Sequence, residues 1–101
     1  MRTRKQIINA IWKERERQEE KEGYTADHDD DCDHEDGELA HAAACYAMPP
    51  EVRRLRWPAT WLQEYDKRKK HSRLRQLEIA AALIVAEIER LERAAEREYG
   101  R

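Results

Sequence analysis

Apolar residues gather in blocks along the chain, and the spacing inside each block predicts a helix. Ile7, Ile8, Ile11 and Trp12 form one stripe of a first helix, opened by Thr3 as N-cap with Gln6 as the reciprocal partner of a capping box. The positions that continue the stripe are Arg15, Gln18, Glu19 and Glu22. Two readings of this polar half stand: it overhangs the core and is solvated, or Arg15 folds back toward the loop that follows. Gly23 is the expected C-cap, because glycine takes the left-handed conformation at no steric cost. Asp36 is placed to cap a second helix, "GELAHAAACYA", which must stop before Met48-Pro49-Pro50. Leu39, Ala43 and Tyr46 share one face of it, and the flanking Ala40, Ala44 and Ala47 let another helix come close. Pro50 then predicts a short helical turn through Leu55, and Pro58 the start of another, with Trp57, Trp61 and Tyr65 stacked on one side.

The last helix, about residues 72–98, carries the clearest period. Leu74, Leu77, Ala81, Ile84, Ile88, Leu91 and Ala95 alternate spacings of three and four, a heptad seam. Its middle, "IAAALIVAEI", is apolar nearly all round, which calls for other helices on one face and a second chain on another. The expected fold is all-α: a single domain over residues 1–101, a small helical bundle with a long C-terminal helix. An acidic loop over residues 23–36 joins helices 1 and 2, and the bundle is oligomeric.

Composition sharpens this. At 101 residues the chain buries only a modest core alone, so partner chains fit the size. "MRTRKQ" lacks the apolar core of a signal peptide and no run reaches about 18 apolar residues, so no membrane span and a cytoplasmic location are expected. Two cysteines, Cys32 and Cys45, are too few for a disulfide framework and read as free thiols. The net charge of -2 hides an asymmetry: residues 23–38 carry eight acids and no Lys or Arg, whereas residues 53–75 carry nine Lys or Arg against two acids.

The acidic stretch "HDDDCDHEDGEL" holds the richest candidate chemistry. His28, Asp30, His34 and Glu38 are legitimate ligands for a divalent metal, the one cofactor the residues suggest. Asp27, Asp29, Asp31 and Glu38 fall on calcium-loop positions, but Cys32 stands where the loop needs glycine. No Ser/His/Asp or Cys/His constellation is legible, which argues against a nucleophilic enzyme. His41 and Cys45, four apart, read as ordinary packing. The basic run around the tryptophans resembles a nucleic-acid surface, yet an aromatic stripe at helical spacing is more often core, and direct nucleic-acid binding is not expected. The candidate ligand site joins Arg15, Tyr24, His28, Asp29, Asp30, His34, Trp57 and Trp61 into a pocket for a nucleotide-like molecule. There Tyr24 and the tryptophans stack a base, Arg15 with Arg54 or Arg56 meets phosphate, and Asp29, Asp30 and His34 accept from hydroxyls or amines.

Three resemblances bear on function. "ERERQEEKEGYTADHDD", "GELAHAAACYA", the Trp-Pro/Trp segment and "AALIVAEIERLER" together look like a group of small phage and prophage proteins, which implies a virus-encoded accessory role. Residues 7–39, through Trp12, Arg15 or Arg17, Gly23-Tyr24, Asp29-Asp30 and His34, resemble the ryanodine-receptor repeat domain, a helical module associated with nucleotide binding. "GELAHAA" is similar to helix openings of the MazG-like NTP pyrophosphohydrolases, which implies magnesium held by Glu38 and Glu87, although Arg90 stands where that family has a second acid. The expectation is a phage-encoded homo-oligomeric binding protein that counters host defence by sequestering a nucleotide-like immune signal. A MazG-like metal-dependent hydrolase and an inhibitor of a host protein through the acidic loop are the alternatives.

Overall fold

A computed structural model describes residues 1–21, 37–52, 54–59 and 63–99. Among these the chain forms three α-helices and no strand: α1 (Arg4–Lys21), α2 (Glu38–Ala47) and α3 (Arg73–Tyr99), with single 3-10 turns at Gln63–Tyr65 and Arg68–Lys70. No helix among the described residues is long and apolar enough to cross a membrane.

Local signals set the helix ends. The Thr3–Gln6 capping box forms in both directions: Thr3 N–H donates to Gln6 Oε1 at 2.8 Å and Gln6 N–H to Thr3 Oγ1 at 3.2 Å. Gly37 opens α2 at φ 77°, a conformation that favours glycine, and its carbonyl accepts from His41 N–H at 2.8 Å. The expected cap at Asp36 and the expected stop at Gly23 lie outside the described residues. Past α2, Val52 N–H closes a turn on Pro49 O at 3.1 Å, but residues 54–58 carry no regular structure, so the helical turn expected through Leu55 is not there. Ser72 caps α3, its Oγ accepting from Arg75 N–H at 3.3 Å.

The core lies between α2 and α3. Leu39, Ala42, Ala43, Cys45 and Tyr46 of α2 pack on Ile79, Ala80, Leu83 and Ala86 of α3, and Trp57 closes the cluster. The small residues at this contact let the two helices approach closely, whereas Ala40 and Ala44 point to solvent. Arg73 fastens the helix end by donating to Tyr46 O at 3.1 Å and to Ala47 O, carbonyls left orphaned in the last turn of α2.

The apolar stripe of α1 does not enter this core. Ile7, Ile8 and Trp12 are exposed, while Glu14, Arg15 and Gln18 are the buried residues of the helix. Part of the polar continuation is therefore buried rather than solvated, and the reason lies on α3. Glu14 accepts from Arg75, Arg15 Nε donates to Glu89 at 2.8 Å, and Arg2 donates to Glu78 at 2.7 Å. Charge, more than apolar burial, fixes α1 to α3.

Three groups around these contacts give the fold a pH dependence. Burial, then the nearby Arg75 and Arg17, pushes His71 below its ordinary value. Burial opposes ionisation of Asp66 and Glu78, but hydrogen bonds from Arg68 to Asp66, and from Arg2 and Arg75 to Glu78, outweigh it and hold both carboxyls low. Just below about pH 6.5 the unfolded chain therefore binds a proton at His71 before the folded one does, and stability falls as the pH drops. The stability from the two carboxylates is present above the ordinary carboxylate range and is lost as pH falls through their depressed values. Urea midpoints followed by circular dichroism should decline monotonically from pH 7 toward 3. His71→Asn should flatten the first part of that decline and leave the second unchanged.

A candidate anion site beside the aromatic segment

Residues 54–58 reach no helical pairing of their own, so α2 side chains hold their backbone. His41 Nε2 lies 2.7 Å from Arg56 O, which fixes Nε2 as the protonated nitrogen because a carbonyl only accepts. The Cys45 thiol donates to the same carbonyl at 3.5 Å, and burial pushes this thiol up. The pair read from the sequence as packing thus positions the strand of chain that carries Arg54, Arg56 and Trp57.

Opposite, the Asp66–Arg68 turn is closed by its own ion pair. Arg68 grips Asp66 with Nε and Nη2, both at 2.8 Å, and reaches Leu55 O with Nη1 at 2.7 Å. Its guanidinium carbon stands 5.8 Å from the centroid of Trp57, within cation–π range. Tyr46 meets the same indole edge-on, with centroids 5.9 Å apart and planes at 81°. The Tyr46 hydroxyl also accepts from Lys67 N–H at 3.0 Å and donates to Tyr65 O at 3.4 Å, tying the segment to α2. Gln76, buried on α3, donates to Arg68 O at 2.9 Å and His71 O at 3.3 Å.

Between these walls lies a cleft of about 310 Å³ lined by Arg54, Leu55, Arg56, Trp57, Asp66 and Arg68. A second cavity of about 150 Å³, reaching Cys45, Met48 and Lys69, shares Arg54 and Arg68 with it. Three cations, Arg54, Arg56 and Arg68, thus share the cleft with one carboxylate, Asp66, and Lys69 adds a fourth in the adjoining cavity. Arg68 is hydrogen-bonded to Asp66 and Arg54 helps hold that carboxyl low by its charge, whereas the side chains of Arg54, Arg56 and Lys69 make no hydrogen bond among the described residues. Such a cleft suits an anion with several acceptor oxygens, since guanidinium forks bind carboxylate and phosphate in matched pairs.

The residues expected at a ligand site are distributed as follows. Trp57 lies at the back of this cleft, buried between Tyr46 and Arg68. Arg15 lies elsewhere, in a groove of about 370 Å³ that Ile8, Ile11, Trp12, Val85 and Glu89 also line. Glu38 is buried in the first turn of α2. Tyr24, His28, Asp29, Asp30, His34 and Trp61 lie outside the described residues, so the acidic half of the expected pocket and most of the expected metal ligands do too. No group of three or more His, Cys, Asp or Glu within reach of one ion occurs among the described residues. Glu87, the carboxylate expected to pair with Glu38, accepts from Arg90 Nε at 2.6 Å. Sequence reasoning names Arg54 and Arg56 as phosphate partners but leaves Arg68 and Lys69 in the basic run set aside as a nucleic-acid surface, and does not single out Asp66. The run "KRKK" after an acid was the available signal.

Comparison with protein-family models, with curated proteins and with solved structures finds no match to this chain.

Proposed function

We propose that the protein is a small homo-oligomeric binding protein for an anionic, nucleotide-like molecule, and that it holds this ligand without turning it over. The observation that carries the reading is the cleft in which Arg54 and Arg56 stand beside the fixed Arg68–Asp66 pair, with Lys69 in the adjoining cavity that shares Arg54 and Arg68. Phosphate oxygens would meet Arg54, Arg56 and Lys69. The apolar edge offered by Leu55 and Trp57 gives a base something to lie against, while a base stacked on the indole face itself would have to displace Arg68. The likeness to the ryanodine-receptor repeat supports the same ligand class, and the likeness to small phage proteins adds a biological setting, sequestration of a host immune nucleotide by a virus-encoded protein. The hydrolase alternative draws no support from Glu87, whose carboxylate is engaged by a cation three residues on.

Native mass spectrometry of the protein purified from bacterial cells tests this. The expected result is a retained species of nucleotide mass that is released unchanged on denaturation. Arg54→Glu with Lys69→Glu should lower retention about tenfold or more, the scale of losing hydrogen bonds to a charged group. A bare chain, or a ligand recovered as its hydrolysis products, overturns the reading.

A further inference from the structure

The heptad seam of α3 is not the face that packs within the chain. Gln76, Ile79, Ala80, Leu83 and Ala86 turn inward, whereas Leu74, Leu77, Ile84, Ile88 and Leu91 are between 41% and 67% exposed. These large side chains expose on the order of 500 Å² per copy, so two copies would bury about 1,000 Å², the lower bound for a specific interface. A stripe this apolar on a chain this charged needs a cover.

The pattern itself says what covers it. Run antiparallel to a second copy, the stripe pairs with itself: Leu74 falls opposite Leu91, Leu77 opposite Ile88, and Ala81 opposite Ile84. Every layer is apolar, and at the centre a small residue meets a large one, as interdigitating helices require. Self-complementarity of this kind is the condition for a two-fold interface and is not needed by an unrelated partner. The flanking charges choose the direction. A parallel pair would set Glu87 of each helix against Glu92 of the other, two like-charge contacts, and the Arg73–Glu78 contacts it would also form join groups already engaged within the chain by the Tyr46 and Ala47 carbonyls and by Arg2 and Arg75. The antiparallel pair sets no like charges together: Glu87 runs beside the second copy's helix at Ala80, whose methyl is buried in its own core, Glu78 falls beside Val85, and Glu92 comes to the second copy's Lys70-His71 turn.

We propose that two copies of this chain dock through α3 as an antiparallel pair in the register that places Leu74 of one copy on Leu91 of the other. The inference rests on the reading that the chain self-associates, and fixes which face and which direction it uses. The α1 groove beside Val85 continues this stripe, so the exposed Ile8 and Trp12 border the dyad.

The test uses the full chain with Cys32→Ser, leaving Cys45 buried. Leu74→Cys and Leu91→Cys are made separately, one of them tagged, and oxidised alone and mixed. In the antiparallel pair, positions 74 of the two copies stand about 25 Å apart, since 17 helical residues rise about 1.5 Å each. The expected result is a disulfide only in the mixture, between the two different variants. Wild type should sediment at twice the chain mass, and Ile88→Glu at the single mass with unchanged circular dichroism, because position 88 is exposed within one chain. Disulfide formation by Leu74→Cys alone means a parallel pair and overturns the register while sparing self-association. A wild-type oligomer that forms no disulfide in any mixture uses another face and overturns the docking surface. A wild-type monomer overturns the docking and the self-association together.

Discussion

Leu83→Ala is expected to lower the unfolding free energy by about 4 kcal/mol, near the top of what a buried leucine loses on truncation. Leu83 is buried at the centre of the α2–α3 contact, with Leu39 and Trp57 in the same cluster. Much of that cluster is alanine: Ala42, Ala43, Ala80 and Ala86. A methyl group cannot swing into a vacated space, so the cavity left by Leu83 stays open and the cavity cost adds to the lost transfer energy. For a domain of this size the loss is a large share of a total of about 5–15 kcal/mol. The control is Leu74→Ala, the same chemistry at an exposed site, which should change the stability of the single chain by about 0.5 kcal/mol or less. Urea unfolding followed by circular dichroism, at a concentration low enough to keep the chain monomeric, reads both. A Leu83→Ala cost under 1 kcal/mol would mean that the α2–α3 core is packed differently from this arrangement.

That contrast between positions 83 and 74 also marks what the sequence could and could not tell. The extent of α3 was legible almost to the residue, about 72–98 against Arg73–Tyr99, because period and N-cap are local properties. So were the capping box of α1 and the stop of α2 before two prolines. Which apolar face of α3 turns inward was not legible. The leucine and isoleucine seam looks like the stronger core face, yet the small face wins within the chain because Ala42 and Ala43 let α2 come close to it. A pairing across many residues of sequence decides this, and no window on one helix contains it.

The same limit explains α1. Its Ile7, Ile8, Ile11 and Trp12 looked like the buried stripe and its Arg15 and Gln18 like a solvated overhang or an anion clamp. The partners that bury the polar half, Arg75 and Glu89, lie more than 60 residues away. The candidate site was legible in part for a related reason. Arg54, Arg56 and Trp57 are neighbours in sequence and stay neighbours in space, but Arg68 and Lys69 join them only because Tyr46, Gln76 and Asp66 fold the basic turn back over the indole.

The polar seam between α1 and α3 leads to the second large effect. Glu14→Ala is expected to cost about 3 kcal/mol, the lower end for breaking a buried ion pair by deleting one partner. The Glu14 carboxylate is wholly buried and accepts from Arg17 at 2.8 and 2.9 Å, from Gln18 at 3.3 Å and from Arg75. Its deletion leaves those donors aimed at an empty site. Arg17 and Arg75 are about one-third exposed and can turn to water, which keeps the cost from rising further; Gln18 is buried and cannot. Removing both charges is a different matter, since apolar groups of similar volume need no partner and give back no desolvation penalty. Glu14→Leu with Arg75→Leu should therefore recover part of the loss, since Arg17 can turn to water while Glu78 keeps only its Arg2 partner, and the double-mutant cycle should show strong coupling between the two positions. The loss should change little with salt, because the carboxylate lies out of reach of screening ions. If the double variant were as unstable as the sum of the singles, the charges would act separately, and α1 would have to be held by something other than this network.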